Sequence, residues 1–450
     1  MQNGDNQTET ADRGPDTGLT DEQQTQGMRY TMLAATFGAL MFMVFARSAI
    51  GALFIKELGG SDFQAMLPGS IMALAGILRI PVSMKVPPRR GKKFMERCWF
   101  IAAGLMAISF AAPSVFGQGS RSVMIFLVVF AVAMAFSASG GAFWFPMLHD
   151  LVPVHRRGRF FGKMRAIWSS TSFVIILLSG FFLGKNPEIW QFQVVFVVIL
   201  ILYTTHIFVV RKIPSGSNLT GDLDYDHWKH YVKGLLREKP LLVFLGYYGL
   251  LGFCVGFLIQ PLVLYMNYRG FPVKDNVIIF SFNTIGMIIS FLFTGVLVDR
   301  FGTKRIFLFA HLILCLVSFF IVGIGMLSDK WTMSLLPVAM VVSGGTISAA
   351  GIACTAQLFH LVPNHGRAFY LNLSMITIGA GAAISPLLAG GVLSAVDSDW
   401  TIFALGMKFD IFQVIFAFGG LLMLAIIGIL YFVQNVNPAL DSGDVSRERV

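Results

Sequence analysis

One short phrase occurs twice in this chain. Residues 151–161 read LVPVHRRGRFF and residues 361–369 read LVPNHGRAF, so Pro363 follows Pro153 by 210 positions. A second, unrelated phrase keeps nearly the same offset. Residues 295–305 read GVLVDRFGTKR, and a weaker copy spans 84–93 as MKVPPRRGKK, with Arg300 211 positions after Arg89. Two phrases sharing one offset make the chain two homologous halves. In a chain this apolar, that duplication implies a membrane transporter.

The apolarity itself excludes a soluble globular protein. Hydrophobic residues make up 55% of the 450 and charged residues only 13%, against roughly 25% charged in soluble domains. A helix needs about 20 apolar residues to cross a bilayer. Such runs fall at 30–55, 64–86, 97–116, 121–148, 161–184 and 189–210, then at 241–266, 275–298, 304–327, 332–360, 367–396 and 408–434. The expectation is an all-α membrane protein of about twelve transmembrane helices, in two pseudo-symmetric six-helix bundles. The first bundle is expected over 29–210 and the second over 241–435. Residues 1–28 and 436–450 read as cytoplasmic tails, the first polar and disordered. Residues 211–240 read as a linker carrying an amphipathic helix in HWKHYVKGLLREK.

The net charge of +10 does not point to nucleic acid, because the basic residues concentrate in alternate loops. Arg89, Arg90, Lys92, Lys93 and Arg97 share one loop; Arg156, Arg157, Arg159 and Lys163 lie two spans later. Lys229, Lys233, Arg237 and Lys239 sit in the central linker, and Arg300, Lys304 and Arg305 two spans beyond. By the positive-inside rule these loops, and both termini, face the cytoplasm of a cell membrane. The four cysteines have no metal-ligand spacing. Asp222, Asp224, Asp226, His227 and His230 could be read as a metal cluster, but a solvated linker explains them equally well. No metal or cofactor is expected.

The phrase formed by Gly295, Leu297, Asp299, Arg300, Gly302, Lys304 and Arg305 resembles the loop motif of the major facilitator superfamily, in the place that family puts it. In the first-half copy Met84 and Pro88 replace the glycine and the acid, while Arg89, Gly91 and Lys93 remain. Gly158 and Arg159, and Gly366 and Arg367, resemble the family's second loop pattern. The resemblance implies substrate bound between rocking halves, with Asp299 and Arg300 latching the outward-facing state. It also implies a functional monomer in the bilayer, with a small molecule as its partner and a coupling ion left open.

Charges inside spans are the pointers to substrate, because each costs a few kcal/mol at the bilayer centre. Arg47 lies 18 residues beyond Arg29, about 27 Å along the first helix. It is a candidate for a carboxylate or phosphate, the alternatives being a pair with Glu57 or Asp62, or snorkelling outward. Arg79 precedes Arg89 by ten residues and is a second candidate; snorkelling is its alternative. Uncharged candidates are Trp168, with the run Ser169 to Ser172, Gln260, Tyr265, Asn283 and Asn372. His206 and His311 read as packing residues. So do the glycine stripes Gly249, Gly252, Gly256 and Gly344, Gly345, and the run from Gly379 to Gly391. No carboxylate lies near a span's centre, which disfavours proton-driven drug efflux. An organic anion or phosphorylated metabolite is the favoured solute. A neutral sugar carrier, a proton-coupled drug antiporter and a transport-inactive sensor are the alternatives. No nucleophile or metal constellation of an enzyme is present.

Overall fold

A computed structural model describes residues 19–153, 157–214, 228–362, 367–397, 400–404 and 406–436. The first span is α1 (Asp21–Ala46) with α2 (Ile50–Glu57). The second is α3 (Asp62–Ala75), a 3-10 turn at Gly76–Leu78 and α4 (Arg79–Lys85). The third is α5 (Pro88–Phe116) and the fourth α6 (Ser120–Gly141) with α7 (Trp144–Leu151). Spans five and six are α8 (Arg157–Leu183) and α9 (Ile189–Arg211). A short helix α10 (Trp228–Arg237) precedes α11 (Lys239–Tyr268), α12 (Val273–Phe301) and α13 (Thr303–Ile324). Then come α14 (Asp329–Leu361), α15 (Arg367–Ala395) and α16 (Ile411–Ile427). Twelve helices among the described residues are long and apolar enough to cross a membrane.

One expectation is corrected. The first helix begins at Asp21, eight residues earlier than a tail over 1–28 allows. Thr20 explains the start: its Oγ1 accepts from the Gln23 amide at 3.2 Å, and the Gln23 side chain accepts from the Thr20 amide at 3.0 Å. Residues 1–18 lie outside the described residues, as do 437–450 of the second tail. The fold is all-α as expected, and one short antiparallel hairpin, β1 (Thr401–Ala404) with β2 (Met407–Asp410), connects the last two spans. The first two spans are each broken, by sequences whose hydropathy runs on without interruption.

The duplication is visible in the packing. Helix α1 packs on α9 as α11 packs on α16, α5 on α9 as α13 on α16, and α3 on α6 as α12 on α14. The halves meet along two seams, α3 against α15 and α8 against α12. Interiors differ. The first half is filled by phenylalanine: Phe45 lies 4.8 Å from Phe130 and 4.9 Å from Phe196, and Phe54 lies 5.1 Å from Phe126, ring centre to ring centre. The second half relies on close backbones. A side-chain carbon at Gly252 would lie 2.6 Å from the Ile378 carbonyl, and one at Gly381 would collide with the Gly249 carbonyl. One at Gly344 would collide with the Asn283 carbonyl. The stripes therefore hold α11 to α15 and α12 to α14 by van der Waals contact. Large apolar side chains such as Val128, Ile201, Leu292 and Leu316 are exposed around the outside, where lipid would lie.

Candidate functional site

The site begins at the break in the first span. Ser48 Oγ donates to the Val44 carbonyl at 2.6 Å and accepts from the Ile50 amide at 3.2 Å. The Ile50 amide would otherwise continue the helix by bonding to Ala46. The freed Ala46 carbonyl instead accepts from Gln260 Nε2 at 2.8 Å, across the boundary between halves. Gly69 of α3 closes on the same point: a side-chain carbon there would lie 3.6 Å from both Ala46 Cα and Gln260 Nε2. Arg47 occupies the break itself, half-buried, with its guanidinium 5.9 Å from the Phe42 ring centre.

Arg47 does not pair with Asp62, because Lys56 Nζ holds that carboxylate at 2.8 Å. The buried Tyr248 on α11 lies within its electrostatic reach, across the boundary between halves. The same tyrosine lies within electrostatic reach of a second guanidinium, that of Arg165 on α8. Two arginines of the first half thus lie within electrostatic reach of one buried tyrosine of the second. Among the described residues neither has a carboxylate partner. Trp168 and Ser169 follow Arg165 at three and four positions, on one helical face with it. The Ser169 hydroxyl is buried without a hydrogen-bond partner. Arg165 was not among the sequence candidates, whose basic cluster stops at Lys163. The available signal was depth: eight residues beyond Arg157 is about 12 Å into the helix, too far for a loop charge.

Arg79 opens α4 directly after the 3-10 turn in the second span. Its Nε is buried and unpartnered. The guanidinium lies over Gly141 of α6, 3.8 Å from where a side-chain carbon would stand. Both sequence-predicted arginines therefore sit at helix breaks.

The other candidates are not brought to this point. Tyr265 accepts from Arg269 Nη1 at 2.7 Å, in a network that continues from Arg269 Nη2 to Asp329 at 2.5 Å. Asn283 donates to Ser343 Oγ at 3.2 Å between α12 and α14. Asn372 is buried on α15. His206 and His311 pack as expected, His206 against Trp99 and Tyr203, and His311 with Nε2 3.0 Å from the Tyr247 hydroxyl.

The loop motif also has a definite place. Asp299 and Arg300 are exposed, and Asp299 has no ion-pair partner among the described residues. Gly295 and Arg305 are exposed as well. Gly302 adopts a φ of 77° and presses on Asn435. Lys304 Nζ donates to the Tyr431 carbonyl at 3.2 Å, and the Thr303 amide to the Val436 carbonyl at 2.9 Å. In the first half, Lys92 Nζ donates to the Arg211 and Ile213 carbonyls at 3.0 and 2.6 Å. In each half the third helix thus caps the end of the sixth. Gly91 packs on Phe143, while Arg89 and Lys93 are not drawn into this cap. Arg159 is exposed; Gly366 lies outside the described residues, and the side-chain positions of Gly158 and Arg367 are not described. The Asp222–His227 cluster also lies outside the described residues.

Solved structures share this architecture. A variant of the nucleoside transporter NupG covers 92% of this chain and 100% of its own, at 14% identity and a TM-score of 0.66. A D-xylose-proton symporter covers 90% and 98%, at 16% identity and 0.65. The inward-open xylose transporter XylE from E. coli covers 91% and 97%, at 14% identity and 0.62. No curated protein sequence matches the chain. The family model for the Major Facilitator Superfamily matches residues 32–339 and 284–449. With twelve spans, paired six-helix halves and the loop motif after the eighth, this chain belongs to the Major Facilitator Superfamily and is a membrane transporter of small solutes.

Proposed function

We propose that the transported solute is a small organic anion or phosphorylated metabolite, bound between the halves at Arg47, Arg165 and Tyr248. One observation carries the reading: Arg47 and Arg165 are half-buried within electrostatic reach of the buried Tyr248, and neither has a carboxylate partner among the described residues. Unpaired cations in a membrane interior are costly, and a carboxylate or phosphate is the complement that guanidinium geometry favours. Arg79, with its unpartnered Nε, offers a second hold on the path toward the basic end. Trp168 supplies an apolar wall beside Arg165. Gln260 sets the shape of the break and does not read the solute.

The basic loops and both termini face the cytoplasm, by the positive-inside rule. Hydrogen bonds join the halves from mid-span to the end opposite the termini, while Asp299 and Arg300 stand free at the basic end. This is the inward-facing arrangement, in which the Asp299 latch is released. Rocking about the seams then exposes the site to each side in turn. The solute moves by exchange or facilitated diffusion, since no span carries a central acid.

Thermal stabilisation of purified protein by a metabolite panel tests the reading, with Arg47→Ala and Arg165→Ala beside wild type. Anions should stabilise wild type and neither variant. Stabilisation of all three by neutral sugars would overturn it. Proteoliposome uptake that follows an imposed pH gradient would overturn the coupling assignment.

A further inference from the structure

The end opposite the termini is held shut twice, by the same device placed at repeat-related positions. On one seam the Lys274 amide, in the first turn of α12, donates to the Gly184 carbonyl just past the end of α8, at 2.9 Å. The Val273 amide donates to the Lys185 carbonyl at 3.2 Å. On the other seam the Phe63 amide, in the first turn of α3, donates to Ser394 Oγ near the end of α15, at 2.9 Å. Lys274 follows Phe63 by 211 positions, and Ser394 follows Gly184 by 210. These are the offsets of the repeated phrases.

One turn earlier, each seam carries a glycine, and Gly390 follows Gly180 by 210. A side-chain carbon at Gly180 would lie 3.1 Å from Val277 Cγ1. One at Gly390 would lie 2.9 Å from Met66 Cγ and 3.0 Å from Phe63 Cα. Both glycines let the end of one helix approach the start of its partner. The donors are first-turn amides, which have no partner inside their own helix.

The two copies have diverged in their acceptors. The α8–α12 seam uses two main-chain carbonyls, freed where Gly184 turns the chain at a φ of 71°. At this end the α3–α15 seam uses one serine hydroxyl; its other bond, from Ser70 Oγ to the Ala383 carbonyl at 2.9 Å, lies deeper in the span. A main-chain pair is independent of side-chain identity and rotamer. A hydroxyl can rotate away and hydrogen-bond elsewhere.

We infer that Ser394 is the release point of the far-end gate, and that the halves part first along α3–α15 while the α8–α12 seam serves as the pivot. Opening is therefore asymmetric, although the fold is a duplication. This holds for any solute the transporter carries.

Distances between spin labels on the full-length protein test it. One pair, at Arg121 and Asp397, spans the α3–α15 seam; the other, at Asn186 and Lys330, spans the α8–α12 seam. All four positions are exposed. Ser394→Ala should add a longer population for the first pair and leave the second unchanged. Ser394→Thr, which keeps the hydroxyl, should match wild type for both. The inference is overturned if Ser394→Ala leaves the first pair unchanged, if it lengthens both pairs equally, or if the threonine variant behaves like the alanine one.

Discussion

Gln260 of the second half donates its side-chain amide to the Ala46 carbonyl of the first at 2.8 Å. The bond fills a vacancy that Ser48 creates when it takes the Ile50 amide out of the helix ladder. Sequence, local break and contact between halves are one chain of cause. Gln260→Leu keeps the bulk and removes the donor. A buried carbonyl left without a partner costs about 1–3 kcal/mol. The melting temperature of the purified protein should fall accordingly, and an unchanged value would show that water or another donor serves Ala46 equally well.

Arg165 and Arg47 lie within electrostatic reach of the same tyrosine, so removing them should not be independent if both hold one solute. Each alanine variant should lose at least tenfold in anion affinity, about 1.4 kcal/mol or more. The double variant should lose less than the sum of the two. Arg165→Lys keeps charge without the planar fork and should recover only part of the affinity. Calorimetric titration of the four variants beside wild type measures this directly.

Glycines should divide by what stands over them. A side-chain carbon at Gly286 would collide with the Val341 carbonyl and lie 2.6 Å from the Gly345 amide. Main chain cannot swing aside, so Gly286→Ala should cost about 1–3 kcal/mol or more. Nothing lies within 4 Å of the same position at Gly323 on α13. Gly323→Ala should be neutral or stabilising by up to about 1 kcal/mol, because it removes backbone freedom from the last turn of α13 without meeting a neighbour. Size-exclusion profiles after graded heating separate the two.

Burial holds the Asp410 carboxyl above its ordinary range, while the Gln413 and Phe412 amides and Arg269 pull it back. A raised acid favours the protonated form in the fold. Its contribution to stability is therefore largest in acid, and is lost as pH rises from about 4 through the raised value. Asp410 also caps α16, accepting from the Gln413 amide at 2.8 Å. Asp410→Asn keeps a capping oxygen and should flatten this part of the pH dependence. Asp410→Ala should lose about 1 kcal/mol of helix capping at neutral pH. Thermal melts across pH compare the three.

Hydropathy and the repeated phrases were enough to read twelve spans, two halves and the family, because length, apolarity and charge placement are what a bilayer selects. Breaks within spans were not readable in this way. Ser48 looks like any serine in an apolar run until its hydroxyl is seen to intercept Ile50. The β-hairpin was hidden for a similar reason: Thr401–Asp410 is short and runs directly into the apolar sequence of α16. The motif around Gly302 was recognised, but its hold on Asn435 and Val436 was not, since those residues carry no pattern of their own. Arg165 was missed because it adjoins a cluster of loop charges, and only its depth along α8 sets it apart.

The lysine caps have a consequence for assembly. Lys92 fastens the third helix to the end of the sixth, so the first bundle can close its own ring before the ribosome has made the seventh. Lys304 does the same for the second bundle. What remains is to join two finished pieces, and the carbonyl of Ala46 stays open until Gln260 arrives. A co-expressed pair of half-length chains would have every bond inside each bundle, and would lack only those that cross the seams.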